Sequence, residues 1–249
     1  MSRSTTRLRP FVALKAMRAV LRNPEDTRQV FILMDALRGK TSLRQLERFR
    51  ATETGKAVLA ERRSLLDCLN NRARLAALPA GTLGRAYYDF ISTEQLSADG
   101  LVAVSNLRET LVPGEDMTLF RERTRDMHDL LHVVTGYGRD PLGEACLAAF
   151  TFAQTELKGF AVIALAAGRK IAKARPGQPV WRAIFEGYRR GRRAEWLVGA
   201  DWEHLLDQPL FAVRCQFRVS PATYYPRITA ATRSTRPAAE QPSTPAMAA

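Results

Sequence analysis

The chain of 249 residues is 46% hydrophobic and carries a formal net charge of +13, so it can bury the core of one domain of ordinary size. Its three cysteines are widely separated and have no metal-ligand spacing, which argues against a disulfide framework and a thiolate zinc site. The charge suggests nucleic acid, but no helix-turn-helix, zinc-finger or aromatic RNA-binding signature accompanies it. We therefore expect no nucleic-acid partner, and an anionic membrane surface explains the charge at least as well.

The amino-terminal segment, residues 1–22, is rich in Arg and Lys and contains no acid. On a helix, Phe11 and Leu14 share one face while Lys15 and Arg18 share another, which is typical of a helix resting on lipid headgroups. An amphipathic targeting peptide has the same composition, but this segment runs directly into core-like sequence. The longest apolar run of the chain is about half of the roughly 20 residues that span a bilayer, so we predict a soluble or peripheral protein.

Apolar residues recur with helical spacing in nearly every segment, and alternating β-branched runs are scarce. We therefore predict a mainly α fold, with one helical domain at residues 23–225. Its first helix begins at Asn23-Pro24, where Asn23 is the cap and Pro24 occupies the first turn. Turns at residues 39–42 and 78–81 separate the elements that follow.

The same period predicts further helices towards the carboxyl terminus. They cover residues 82–90, 117–135, 141–167, 180–193 and 194–206. Residues 169–179 form a predicted basic loop, and residues 210–219 form a short strand or extended closing segment. The Thr, Pro and Ala residues of the segment 226–249 have no periodic apolar face, so we predict a disordered tail there.

Two of the three histidines, His128 and His132, are four residues apart, which places both imidazoles on one face of a helix. Gly136 ends this helix and Asp140-Pro141 begins the next, so the two helices form a central antiparallel hairpin. His132 lies four residues before Gly136 and Glu144 four residues after Asp140, so both lie at one depth, roughly 6 Å below the loop. The alternative for Glu144 is a favourable acid in the first turn of a helix.

Two imidazoles with carboxylates and no thiolate suit zinc first, with iron(II) or manganese as alternatives, and leave positions open for water, oxygen or substrate. Asp129, beside the first histidine, is predicted as a ligand and as a catalytic residue. The predicted ligands are thus His128, Asp129, His132 and Glu144. A pair of exposed or merely hydrogen-bonded histidines is the competing interpretation of this spacing.

Arg121 and Arg125 fall on the same helical face as the histidines, at intervals of three or four residues. Because Arg forks bind carboxylates and phosphates in a bidentate manner, both are predicted to bind substrate next to the metal. The alternative for Arg125 is an ion pair with Asp129 or Glu122.

A family resemblance follows from the same residues. The segment 128–132, His-Asp-x-x-His, followed by eleven residues and Glu144, resembles without a gap the signature motif of the ubiquinone (coenzyme Q) biosynthesis protein Coq-four family. Residues 78–87 are similar to a segment upstream in that family, and Trp202-Glu203 has a counterpart near its end. The resemblance covers about residues 10–220.

The resemblance implies a helical, dimeric protein that binds metal, accommodates a polyprenyl chain and works with other ubiquinone-biosynthesis proteins. It implies removal of the ring carboxylate from a prenylated hydroxybenzoate, coupled to hydroxylation at that carbon, by a metal-dependent decarboxylase of the lyase class. Arg125 would orient the carboxylate and act catalytically. The helix with Phe150 would line the prenyl channel, although such stripes more commonly pack in the core. The alternative functions are a prenyl-lipid-binding scaffold with a structural metal and a metal-dependent hydrolase.

The family is best known from mitochondria, but nothing in the sequence establishes a cleaved presequence. We therefore predict a bacterial relative, cytoplasmic and attached to the inner membrane face, or on the matrix side if the chain is eukaryotic. Basic residues in the segments 169–175 and 189–193 are predicted to bind anionic lipid or protein partners, or else to form a solvated face.

Overall fold

The computed structural model describes residues 8–22, 27–37, 39–93 and 115–234. Within these ranges the chain forms helices and turns and no strand, and the one sheet-like contact is an isolated antiparallel bridge between Thr82 and Pro209. The predicted mainly α fold with a single helical domain is confirmed. No helix of the described ranges is long and apolar enough to cross a membrane.

Seven described helices lie before residue 94. They are α1 (Pro10–Arg22), α2 (Thr27–Leu37), α3 (Thr41–Arg50), α4 (Glu53–Glu61), α5 (Leu65–Asn70), α6 (Arg72–Ala77) and α7 (Leu83–Thr93). The three shortest begin at polar capping residues, Thr52, Ser64 and Asn71, whose side-chain oxygens accept a backbone N–H from the first turn. Such caps satisfy donors that have no partner inside the helix.

Helix α1 packs on α2 through two small side chains, with the partly buried Met17 beside them. Ala13 and Ala16 are buried against α2, whereas Phe11 and Leu14 are exposed. The apolar residues that were predicted to rest on lipid therefore lie on the surface. The predicted helix start at Asn23-Pro24 lies outside the described residues.

Eight further helices follow residue 114 in the described part of the chain. They are α8 (Asp116–Asp126), α9 (His128–Thr135), α10 (Pro141–Thr155), α11 (Lys158–Ala174), α12 (Val180–Arg193), α13 (Trp202–Leu205), α14 (Leu210–Gln216) and α15 (Tyr224–Ser234). A short 3-10 turn lies between α12 and α13. The predicted helix 117–135 thus divides at Met127, and the predicted helix 141–167 divides at Glu156, which has a left-handed φ of 57°.

The region after residue 168 differs from the prediction because buried side chains determine its structure. Helix α11 continues into the predicted loop 169–179, since Ile171 packs in the core. The predicted closing strand 210–219 is instead occupied by α14, in which Val213 is buried. The predicted helix 194–206 is reduced to the 3-10 turn and α13.

The prediction of a disordered tail at residues 226–249 is wrong for residues 226–234. Helix α15 extends to Ser234, and it packs on the core through Tyr225 and Ile228, which are both buried. These two residues are three apart and so share one helical face. Residues 235–249 lie outside the described residues.

Helix α10 forms the centre of the core and is buried along most of its length. Helix α12 packs closely against it, because Gly187 and Gly191 of α12 have no side chain. A Cβ at Gly187 would lie 2.5 Å from the carbonyl oxygen of Cys146, and one at Gly191 would lie 2.5 Å from that of Phe150. Phe150 is therefore a fully buried core residue.

Candidate metal centre

The predicted hairpin turn joins α9 to α10. Gly136 ends α9 in a left-handed conformation, φ 75°, and its N–H donates to the carbonyl of His132 at 2.8 Å. Asp140 caps α10, since its Oδ1 accepts the N–H of Leu142 at 3.1 Å and that of Gly143 at 3.3 Å. The end of α9 and the start of α10 therefore have the residues expected there. Glycine follows α9, and α10 has a capping Asp followed by proline.

The hairpin brings His128, Asp129, His132 and Glu144 together. Glu144 Oε1 lies 3.4 Å from Nε2 of His132, and Glu144 Oε2 lies 3.8 Å from Nε2 of His128. Asp129 Oδ1 lies 3.2 Å from Nδ1 of His128. Ligand atoms of the two histidines and of Asp129 lie within 4.8 Å of one another.

The buried ring of His132 has a defined orientation. Its Nδ1 lies 2.9 Å from the backbone oxygen of Tyr137, which can only accept, so Nδ1 is assigned the proton. Its Nε2 is buried without a hydrogen-bond partner. The ring also stacks on Phe90 at a centroid distance of 5.5 Å and meets the edge of His128 at 4.8 Å. The Nε2 atom therefore faces Glu144, an arrangement that a cation between them would stabilise.

The charges of the centre are coupled. Burial acts to raise the pKa of Asp129 and of Glu144, but the neighbouring imidazoles outweigh burial and lower both values. Burial acts to lower the pKa of His128, but the hydrogen bond to Asp129 and the charge of Glu144 outweigh it and raise the value. Two anionic carboxylates beside two imidazoles provide the donor set of a divalent metal site.

The centre is open on one side. The side chains of His132 and Asp129 are 0% and 8% exposed, whereas those of His128 and Glu144 are 29% and 38% exposed. A ligand can therefore approach along the edge formed by His128 and Glu144, while His132 forms the floor.

Two arginines from other helices hold the end of α9. The last four carbonyls of a helix have no partner within it, yet in α9 all four are paired. The N–H of Gly136 donates to the carbonyl of His132. Arg214 donates to the carbonyls of Val133 and Val134 at 2.9 Å each, and Arg190 donates to that of Thr135 at 2.8 Å. Positive charge here also complements the helix dipole. The helix that carries both histidines is thus fixed to α12 and α14.

Substrate binding by Arg121 and Arg125 stays a prediction. The Nε of Arg125 pairs with Asp126 at 2.8 Å, and both side chains are largely buried. Asp126 was not one of the acids predicted as its partner. Arg121 is half-buried on α8. Phe150, predicted to contact substrate, packs in the core instead.

Arg139 was not among the site residues predicted from the sequence. This residue lies in the hairpin loop, and its Nη1 is 3.9 Å from Oδ1 of Asp129. Its side chain is 29% exposed, so it borders the open edge of the centre. Its signal in the sequence is a cation in the short loop between the helices of the candidate ligands, but this loop does not belong to the helical face of the histidines.

Comparisons with known proteins agree on the family. The family model described as "Coenzyme Q (ubiquinone) biosynthesis protein Coq4" matches residues 4–223. The mitochondrial ubiquinone biosynthesis protein COQ4 homolog of Danio rerio is 27% identical over 81% of this chain and 72% of its own length. The corresponding Neurospora crassa protein is 30% identical over 68% of this chain, and the match spans about half, 47%, of that relative.

A solved structure shares the fold. The crystal structure of a Nostoc punctiforme protein assigned to ubiquinone biosynthesis superposes with a TM-score of 0.63 at 23% identity, covering 86% of this chain and all of that chain. At this identity the likeness shows the fold alone. The family match extends over nearly the whole chain and includes the hairpin. This chain belongs to the coenzyme Q (ubiquinone) biosynthesis protein Coq4 family.

Proposed function

We propose that this chain acts in ubiquinone biosynthesis as a metal-dependent enzyme that removes the ring carboxylate of a polyprenyl-hydroxybenzoate and hydroxylates the same carbon. The role in the pathway follows from the family. The observation that supports an active metal centre is the unpartnered Nε2 of buried His132, which faces Glu144 beside the partly exposed His128. A site that opens at one edge suits a reaction better than a purely structural ion.

The ligands that fit best are the Nε2 atoms of His128 and His132 and the carboxylate of Glu144. Asp129 contacts the other ring nitrogen of His128, so it orients that ring as outer carboxylates commonly do at metal sites. The nitrogen and oxygen donors suit zinc, iron(II) or manganese. When bound, the metal would stabilise negative charge that develops on the aromatic ring, as a Lewis acid.

Arg139 is the residue we assign to the substrate carboxylate. We assign this role to Arg139 rather than to Arg125, because the side chain of Arg139 is 29% exposed, whereas that of Arg125 is only 13% exposed and pairs with Asp126. A guanidinium at this place would bind the carboxylate by two parallel hydrogen bonds and fix the ring against the edge of the centre.

The overall reaction balances with dioxygen and a two-electron reductant. The bond from the ring carbon to the carboxylate carbon breaks, and carbon dioxide leaves. One oxygen atom of dioxygen forms the new bond to the ring carbon. The other leaves as water, with two electrons from the reductant and protons from solvent.

The test is a single assay. Metal-loaded protein is incubated under air with a carboxylated polyprenyl-hydroxybenzoate and ascorbate, and loss of the carboxylate is followed by mass spectrometry. We expect turnover by the wild-type chain, none by Glu144→Ala, and wild-type turnover by His204→Ala, which changes the exposed third histidine. Tight binding of unchanged substrate would contradict the enzyme and favour the prenyl-lipid scaffold.

Replacing Arg139 by Met tests the assignment of the carboxylate. A hydrogen bond to a charged group contributes about 1.5–3 kcal/mol, so we expect kcat/KM to fall roughly 10- to 100-fold, mainly through a higher KM. Metal content should stay at the wild-type value. Arg218→Met, which removes a well exposed arginine paired with Glu195, is the matched control. An unchanged KM in Arg139→Met would rule out this role.

We also propose that the protein lies on an anionic membrane surface, as a homodimer that works with other ubiquinone-biosynthesis proteins. Two exposed aromatic residues of α12, Trp181 and Phe185, support the proposal that the protein binds a membrane surface. Arg182, Arg189 and Arg192 are exposed on the same helix. Aromatic rings beside cations are typical of proteins bound at lipid headgroups. The protein would lie on the inner membrane face in a bacterium, or on the matrix side in mitochondria. The relatives named above are described as mitochondrial.

A further inference from the structure

Helix α15 begins at Tyr224, directly after the family match ends at residue 223, and its second residue contacts the hairpin loop. The hydroxyl of Tyr225 accepts the N–H of Gly138 at 2.9 Å and donates to Oδ2 of Asp140. The ring of Tyr225 meets the ring of Tyr137 edge to face, at a centroid distance of 5.3 Å. One side chain therefore contacts three of the loop residues that join the two helices of the centre.

Two of these loop residues each position one side of the metal centre. Tyr137 supplies the backbone oxygen that fixes the ring of His132. Asp140 supplies the cap that starts α10, one turn before Glu144. Tyr225 thus contacts both residues: its ring packs on Tyr137, which orients one ligand, and its hydroxyl binds Asp140, which begins the helix carrying the other, and Gly138 between them.

The loop is packed tightly around this hydroxyl. A Cβ at Gly138 would lie 2.6 Å from the hydroxyl oxygen of Tyr225, and a Cβ at Gly143 would lie 2.0 Å from the carbonyl oxygen of Gly138. The loop backbone therefore lies between the phenol on one side and the first turn of α10 on the other. The guanidinium of Arg190, 4.8 Å from the ring centroid of Tyr137, supports the same loop from α12.

Helix α15 is itself anchored. Its Ile228 is buried, and the carboxylate of Glu186 on α12 accepts the backbone N–H of Thr223 at 3.0 Å and of Tyr224 at 2.9 Å. Burial and the hydrogen bond to Asp140 both raise the pKa of Tyr225, so the hydroxyl keeps its proton and remains a donor. These contacts of α15 therefore hold Tyr225 in place, and Tyr225 in turn holds the loop.

We propose that Tyr225 is a positioning residue of the metal centre, and that its hydroxyl sets the separation between His132 and Glu144 by holding the loop that joins them. This inference rests on the proposed metal centre. It adds a contribution from a helix that lies beyond the region matched by the family. The residue acts through the loop and touches no ligand directly.

The test uses cobalt(II) as the probe. Affinity is measured by competition with a chelator, and geometry by the visible absorption of the bound ion. Tyr225→Phe keeps the ring contact with Tyr137 and removes only the hydroxyl. Because outer partners of metal ligands typically contribute 10- to 100-fold in affinity, we expect roughly 10-fold weaker binding and a changed spectrum, with the thermal midpoint shifted by only a few degrees. Tyr224→Phe, at the neighbouring position of the same helix, should match wild type.

The outcomes separate the two claims. Wild-type affinity and spectrum in Tyr225→Phe would overturn the role of Tyr225 and leave the metal centre intact. Equal weakening in Tyr225→Phe and Tyr224→Phe would also overturn it, since the effect would then belong to the packing of α15. No cobalt binding by the wild-type chain would overturn the metal centre, and this inference with it.

Discussion

Replacing His132 by alanine is expected to abolish metal binding. The ring is fully buried, its Nδ1 is held by the carbonyl of Tyr137, and its Nε2 faces Glu144 with no other partner. No neighbouring side chain of the same chemistry can take its place, since the other two histidines are His128, already in the set, and the distant His204. Affinity should fall by more than about 100-fold, because even outer partners of ligands contribute 10- to 100-fold.

The measurement is elemental analysis of purified protein, with circular dichroism to confirm the fold. Wild type and His204→Ala should hold about one metal ion per chain, because His204 is exposed and paired only with Asp201 at 2.8 Å. His132→Ala should hold almost none. Equal metal content in all three proteins would show that the ion binds outside the hairpin.

Replacing Glu203 by glutamine is expected to cause the largest loss of stability. The side chain of Arg123 is 2% exposed, and it forms two parallel hydrogen bonds to Glu203, at 2.5 and 2.7 Å, and a third to the carbonyl of Ala200 at 3.0 Å. Removing the carboxylate charge leaves a buried guanidinium without its counter-ion, which typically costs 3–5 kcal/mol. We expect the free energy of unfolding to fall by about that amount and the thermal midpoint by roughly 10 °C.

An exposed Arg–carboxylate pair is the control. Arg74 also forms two hydrogen bonds to one carboxylate, that of Asp207 at 2.7 and 2.8 Å, but both side chains are more than a third exposed. Because solvent screens exposed pairs, Asp207→Asn should cost less than about 1 kcal/mol. Denaturant unfolding of both variants measures the difference. Similar losses in the two would mean that burial does not determine the contribution of the Arg123 pair.

The hairpin was predictable because its signals are local. Gly136 after one helix and Asp140-Pro141 before the next define a short loop. His132 and Glu144 each lie four residues, or about one helical turn, away from it. That arithmetic places His132 and Glu144 together, and their atoms lie 3.4 Å apart. The mainly α fold followed in the same way from the period of the apolar residues. Metal binding by these residues stays a prediction.

What the sequence did not predict depends on contacts between distant segments. The segment 226–234 has the composition of a tail, yet it is helical because Ile228 packs on the core and Glu186 caps the start of α15. Its Thr and Ala residues do not form a hydrophobic pattern of helical period strong enough to predict this helix. The two paired arginines at the end of α9 were likewise invisible, since their acceptors are backbone carbonyls.

The most direct test of the metal centre is anomalous diffraction from crystals of natively expressed protein, measured at the absorption edge of the bound metal. We expect one strong peak in the hairpin, about 2.0–2.2 Å from Nε2 of His128, from Nε2 of His132 and from an oxygen of Glu144. An anomalous peak elsewhere in the molecule, or none at the hairpin in protein that contains metal, would contradict the assignment.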